Sequence, residues 1–138
     1  MRYSVWCREE MPFQSRKKIN AQIKKYPELK GFRIQGALPE ICKIWDVPPA
    51  PEVENELVKS NVPALIFAGE FDPDTPPEWG RLVASWFSNS FFYEVKSTSH
   101  GAMNNRCTFA EIPSSFLKNP TSRPNATCLA EIKPVDFK

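Results

Sequence analysis

The sequence predicts an α/β fold, and three features carry that prediction. Residues 62–69, VPALIFAG, form a continuous apolar run bounded by a proline and a glycine, the pattern of a strand buried on both faces of a parallel sheet. Trp79, Leu82, Val83 and Trp86 then fall at i, i+3, i+4 and i+7, one apolar stripe on a helix expected over residues 76–87. SFFYEVKS, at residues 90–97, has the aromatic and β-branched composition of a second strand. Strand, helix and strand in that order make a crossover unit whose strands pair in parallel.

The helix has its own start signal. Thr75-Pro76-Pro77-Glu78 reads as a capping box, in which the Thr75 hydroxyl accepts a free amide, Glu78 reaches back, and Pro76 sits where no amide is needed. The amino-terminal third is less regular. YSVWC, at residues 3–7, reads as a short strand. SRKKINAQIKKY, at residues 15–26, places Ile19 and Ile23 on one side of a lysine-rich helix that Tyr26-Pro27 ends. CKIWDVPPAPEVENELVKSN, at residues 42–61, is proline-rich and acidic and reads as an extended surface connection.

Composition bounds the function. A chain of 138 residues, 41% apolar and 25% charged, is enough for one globular domain. A net charge of +2 is far from the basic bias of a dedicated nucleic-acid binder. Arg16, Lys17, Lys18, Lys24 and Lys25 have no interleaved aromatics for base stacking, so their face reads as solvated and no nucleic-acid partner is expected. No window approaches the roughly 18 apolar residues of a membrane span, and the first residues lack the apolar core of a signal peptide. The protein is therefore cytosolic, or its export signal lies on a segment outside this sequence.

Cys7, Cys42, Cys107 and Cys128 form no closely spaced pair, and a single histidine leaves too few nitrogen ligands for a zinc site, so no metal is expected. Four cysteines allow three disulfide pairings, and the residues do not choose among them. Cys107 and Cys128 bracket a Pro-, Ser-, Thr- and Asn-rich segment with little apolar content. A covalent closure of that size contributes roughly 3 kcal/mol, and this favours an oxidising compartment.

The candidate site follows from the crossover unit. In an open parallel sheet, functional groups gather in the loops beyond the carboxyl ends of the strands. Asp72 follows the first strand and His100, the only histidine, follows the second. A carboxylate on the same edge as an imidazole can accept its Nδ1 proton, as the acid of a catalytic triad does. Asp72 also stands before a proline and could simply start a turn. Asp74 competes for the acid role, but it lies two residues further on, beside the helix start, where the dipole favours a carboxylate.

NVPALIFAGEFDPDTPPEWGRLVASWF, the SHG of residues 99–101, Cys107 and the terminal CLAEIKPVDF together resemble the carboxy-terminal part of the tripeptidyl-aminopeptidase-like branch of the α/β-hydrolases, secreted serine exopeptidases related to prolyl aminopeptidases. YSVWCREEMPF and CKIWDVPP are similar to that family's S-V-x-C-x-E-D-x-P-F and C-x-x-W-P segments. The likeness spans residues 3–137, and the G-x-x-D-P-x-T-P-P-x-W-G run is its most selective part. The resemblance implies that Asp72 is the triad acid and His100 the triad base. It implies disulfides Cys7–Cys42 and Cys107–Cys128, and that Glu9 anchors the free amine of a peptide substrate. Glu10 stands where the family carries aspartate, which changes its reach. No cofactor is implied.

The third triad member is missing. The superfamily's nucleophile sits in G-x-S-x-G and precedes the acid and base. None of Gly31, Gly36, Gly69, Gly80 and Gly101 frames such a serine. The expectation is the carboxy-terminal portion of an α/β-hydrolase with an incomplete sheet. Residues 1–61 form the end of the lid and its connection, and residues 62–138 carry the acid and base. An upstream segment of the same hydrolase then supplies the serine, and the chain by itself is inactive. Part of the helix stripe at Trp79, Leu82, Val83 and Trp86 then lacks a partner surface. The alternative is a non-catalytic binding or interaction module built on the same fold piece.

Overall fold

The computed structural model describes residues 1–31 and 39–136. Gly36 and Phe137 lie outside the described residues. The chain divides into two compact units, Met1–Glu56 and Leu57–Lys138.

The first unit is helical. Helix α1 (Arg2–Val5) runs into a π-helical turn (Trp6–Glu10) and a 3-10 turn (Met11–Phe13). Helix α2 (Arg16–Lys25) starts at Ser15, whose hydroxyl accepts the Lys18 amide at 3.3 Å, and ends at Tyr26 because the following proline disfavours helical backbone. Helix α3 (Pro39–Trp45) opens on a proline that gives up no needed hydrogen bond and closes at Asp46, with φ +47°.

Two expectations fail in this unit. YSVWC is helical rather than a strand: helical spacing puts Tyr3, Ser4 and Cys7 against α3. The Tyr3 and Trp45 rings lie 5.8 Å apart, Trp45 Nε1 donates to Ser4 Oγ at 3.1 Å, and Cys7 is bonded to Cys42. These contacts override the strand preference of Tyr, Val and Trp. CKIW is likewise the end of α3, and the chain is extended only beyond it, up to a 3-10 turn at Glu52–Asn55. That extended stretch folds back, with the Ala50 amide donating to the Arg8 carbonyl at 2.8 Å and an Arg8 guanidinium nitrogen donating to the Pro48 carbonyl at 3.2 Å.

The second unit contains the predicted crossover. Strand β1 (Ala64–Gly69) and strand β2 (Ser90–Val95) pair in parallel, in register from Ala64 opposite Ser90 to Gly69 opposite Val95, with helix α4 (Pro77–Trp86) between them in sequence. On one face Gly80 of α4 sits against the Phe92 ring, where a Cβ would lie 2.5 Å from a ring carbon, and Arg81 pairs with Glu94. On the other face Leu65, Phe67, Phe91 and Tyr93 pack on Cys107, Ile112, Ala126, Cys128 and Leu129. Helix α5 (Ile112–Lys118), entered through a π-helical turn at Cys107–Glu111, supplies Ile112, which is wholly buried. Tyr93 donates its hydroxyl to the Pro124 carbonyl at 3.1 Å, so the polar end of this buried ring is satisfied.

Here too the sequence reading is corrected in detail. β1 is not buried on both faces; only Ala68 and Gly69 are buried, because the sheet has two strands among the described residues. The capping box does not form. The N-cap of α4 is Pro76, no side chain caps it, and Glu78 faces Arg81 at 3.3 Å. Trp79, Leu82 and Val83 are 59%, 46% and 40% exposed, so most of the predicted stripe reaches solvent.

The Cys107–Cys128 bond ties the π-helical turn to the 3-10 turn at Thr127–Glu131 under the buried face of the sheet. Replacing both cysteines by serine is expected to cost about 3 kcal/mol, read as a lower midpoint of urea unfolding against the native protein.

Candidate active site

The site is built where two loops meet beyond the carboxyl ends of β1 and β2. The first loop leaves β1 at Gly69 and turns at once, the Asp72 amide donating to the Gly69 carbonyl at 3.2 Å. The second leaves β2 through Ser97, whose φ of +55° reverses the chain. The loops are joined by backbone bonds from the Glu70 amide to the Val95 carbonyl at 3.0 Å and from the Phe71 amide to the Thr98 carbonyl at 2.9 Å. The Glu70 carboxylate adds a third bond by accepting the Ser97 amide at 2.9 Å.

Gly69 makes this approach possible. A Cβ there would lie 2.5 Å from the Thr98 carbonyl oxygen and closer still to that of Ser99, neither of which is a flexible side-chain end. The absence of a side chain lets the second loop cross the end of β1 and carry His100 to Asp72.

Asp72 is 7% exposed. Its Oδ1 accepts the amides of Asp74 and Thr75, both at 2.9 Å, and its Oδ2 accepts the Thr75 hydroxyl at 2.7 Å. His100 Nδ1 lies 3.1 Å from each carboxylate oxygen. Burial pushes the Asp72 carboxyl up, but the Thr75 amide and hydroxyl, the Asp74 amide and the His100 ring outweigh it and hold the group well below the usual carboxylate range. Asp72 therefore caps its own turn, as an Asp-Pro turn would, and faces the imidazole as well. The His100 side chain is 58% exposed, against 4% for Asp72, and its Nε2 has no hydrogen-bond partner among the described residues.

The structure thus brings Asp72 and His100 together. Asp74 contributes its backbone amide while its side chain stays in solvent. Glu9 is exposed on the π-helical turn of the first unit. The four cysteines form two disulfides, Cys7–Cys42 and Cys107–Cys128, which fit an extracellular location. Among the described residues no three His, Cys, Asp or Glu side chains are placed to hold a metal ion, and no helix is long and apolar enough to cross a membrane. Thr75 is the residue that the sequence reading misassigned: its hydroxyl serves Asp72, three residues back, rather than the helix. The D-x-x-T spacing was the available signal, since a side chain in an Asp turn meets the residues two and three positions on.

A family model described as TAP-like protein matches residues 32–128, a span that includes Asp72, Thr75 and His100. The chain belongs to the TAP-like family of α/β-hydrolases. Two parallel strands flanked by helices agree with a segment of that fold carrying part of its sheet. No curated protein and no solved structure matches the chain.

Two outcomes follow from this geometry. Gly69→Ala is expected to destabilise the protein by about 1–3 kcal/mol through overpacking against backbone, seen in urea unfolding, and to move His100 away from Asp72 in a crystal structure of the variant. The folded Asp72 carboxyl also loses its proton at lower pH than the unfolded one, so below the ordinary carboxylate value of about 3.9 the unfolded chain binds more protons. Its contribution to stability is complete above that pH and is lost as the pH falls further. Thermal melts at pH 3 and pH 6 are expected to show this loss in the native protein and a smaller one in Asp72→Asn.

Proposed function

We propose that this chain supplies the acid and the base of a Ser-His-Asp triad in a serine hydrolase, an exopeptidase that releases residues or short peptides from the amino terminus of a peptide substrate. The observation that carries the reading is the contact of His100 Nδ1 with both oxygens of a buried, ionised Asp72, while the opposite edge of the ring faces outward. The nucleophile is a serine in a G-x-S-x-G turn on an upstream segment of the same hydrolase, which also brings the oxyanion-hole amides.

The chemistry follows from the arrangement. Neutral His100 takes the serine proton at Nε2 as Oγ attacks the scissile carbonyl, and Asp72 stabilises the imidazolium that forms. His100 then gives that proton to the leaving amine. In the second half it deprotonates water, which attacks the acyl-enzyme and frees the serine. In this reading residues 1–61 belong to the end of the lid and its connection to the sheet. Glu9 is the proposed anchor for the substrate's ammonium group, and the protein works outside the cell, where its disulfides persist.

The test uses the chain joined to its G-x-S-x-G segment. An aminopeptidase assay is expected to lose about 10⁴-fold in kcat with Asp72→Asn and about 10⁶-fold with His100→Ala. A fluorophosphonate probe is expected to label the joined protein at one serine and the 138-residue chain at none. Full activity in His100→Ala removes the assignment, and failure of the joined protein to label favours a non-catalytic binding module instead.

A further inference from the structure

The Thr75 hydroxyl lies within reach of both members of the Asp72–His100 pair and has one proton to give. Its oxygen is 2.7 Å from Asp72 Oδ2 and 3.4 Å from His100 Nδ1. The first distance is that of a normal O–H···O bond to a charged acceptor, and the second is beyond one. The proton therefore points at the carboxylate, and only oxygen lone pairs are turned toward the ring.

We propose that Thr75 is a positioning residue that fixes the tautomer of His100, by spending its proton on Asp72 and presenting His100 Nδ1 with acceptors alone. Three oxygens surround Nδ1: the two of Asp72 at 3.1 Å and that of Thr75 at 3.4 Å. A bare Nδ1 would set its lone pair against all of them, whereas a protonated Nδ1 satisfies them. The neutral ring accordingly carries its proton on Nδ1 and leaves the Nε2 lone pair outward. With the hydroxyl turned the other way, it would donate to Nδ1 and hold the ring as the opposite tautomer, with Nε2–H outward and no lone pair to accept a proton.

The backbone sets the direction of the Thr75 proton. Oδ1 is occupied by the two amides of Asp74 and Thr75, so without the hydroxyl Oδ2 keeps only the imidazole. Threonine's β-branch restricts the rotamers of the hydroxyl, and the amide of the same residue is itself bonded to Oδ1, so side chain and main chain of Thr75 grip one carboxylate at both oxygens. A valine keeps the shape and removes both the proton and the lone pairs. The carboxylate is then free to swing about its Oδ1 bonds, and of the two acceptors that face Nδ1–H only Oδ1 stays held by the turn.

This inference concerns the site proposed to act as the acid and base of a hydrolase, but its test does not depend on that activity. The protein has a single histidine, so long-range ¹H–¹⁵N spectra of the whole ¹⁵N-labelled chain, taken on the alkaline side of the ring's own titration, report one neutral ring. The native protein is expected to give a pyrrole-type Nδ1 and a pyridine-type Nε2. In Thr75→Val the Nε2–H share is expected to rise several-fold, and in Thr75→Ser, which keeps the hydroxyl, to stay near native, with circular dichroism showing each variant folded. Thr75→Ala replaces the valine variant where that does not fold. A native ring protonated at Nε2, a Thr75→Val or Thr75→Ala ring indistinguishable from native, or a Thr75→Ser ring shifted as far as theirs overturns the assignment. A joined hydrolase that fails to label with fluorophosphonate overturns the peptidase reading while leaving these spectra as they are.

Discussion

Two chain segments that leave adjacent parallel strands are held against each other by their own backbones, and the candidate site depends on that junction. Bonds from Glu70 to Val95 and from Phe71 to Thr98 continue the strand pairing for a few residues past the sheet. They continue only because Gly69 presents no side chain to the carbonyls of Thr98 and Ser99. Once the second loop lies there, His100 has little choice but to face the turn that contains Asp72. The Asp72–His100 contact is a consequence of the backbone junction, and this suits a partly exposed interaction that could not by itself order two loops.

Asp72 is the electrostatic centre of the arrangement. A carboxylate this buried is costly unless its oxygens are bonded. Two amides and a hydroxyl from the same turn meet that need before the imidazole arrives. The turn therefore holds the charge in place whichever way the ring moves, and the ring stays exposed on its far edge. That division of labour, with a fixed anion behind a ring open on its far side, is what proton transfer to an incoming group requires.

The rest of the second unit shows an uneven use of its sheet. One face is closed by Tyr93, Ile112 and the Cys107–Cys128 bond, with Phe67 stacked on Tyr93 at 6.0 Å and Phe91 edge-on to Phe116 at 6.4 Å. The opposite face meets α4 through Gly80 and Arg81, while Trp79, Leu82 and Val83 of that helix are exposed. The covalent closure strengthens the side that already has a core. A small chain with little apolar surface to bury gains from such a closure chiefly by limiting the freedom of its unfolded state.

The strand, helix and strand were legible because apolar runs and helical spacing are written in neighbouring residues. Chain order alone put Asp72 and His100 at the same sheet edge. The strand read at YSVWC failed because its residues face α3 at helical spacing, a contact with residues about forty positions on that local preference does not contain. The helix cap failed because the Thr75 hydroxyl turns to donate to Asp72 instead of accepting an amide of its own helix, an outcome decided by how the turn folds. The residues alone left three disulfide pairings open, and proximity in the fold resolves them.

By itself, then, the sequence determined the α/β class, the strand, helix and strand order of the second unit and which edge carries the carboxylate and the imidazole, since all three rest on local periodicity and chain direction. Only the tertiary structure decided the 3.1 Å meeting of those groups, the direction of the Thr75 hydroxyl and the helical state of the amino terminus. Each of these is settled by groups brought close in space, and the identity of those groups is not a property of any one stretch of chain.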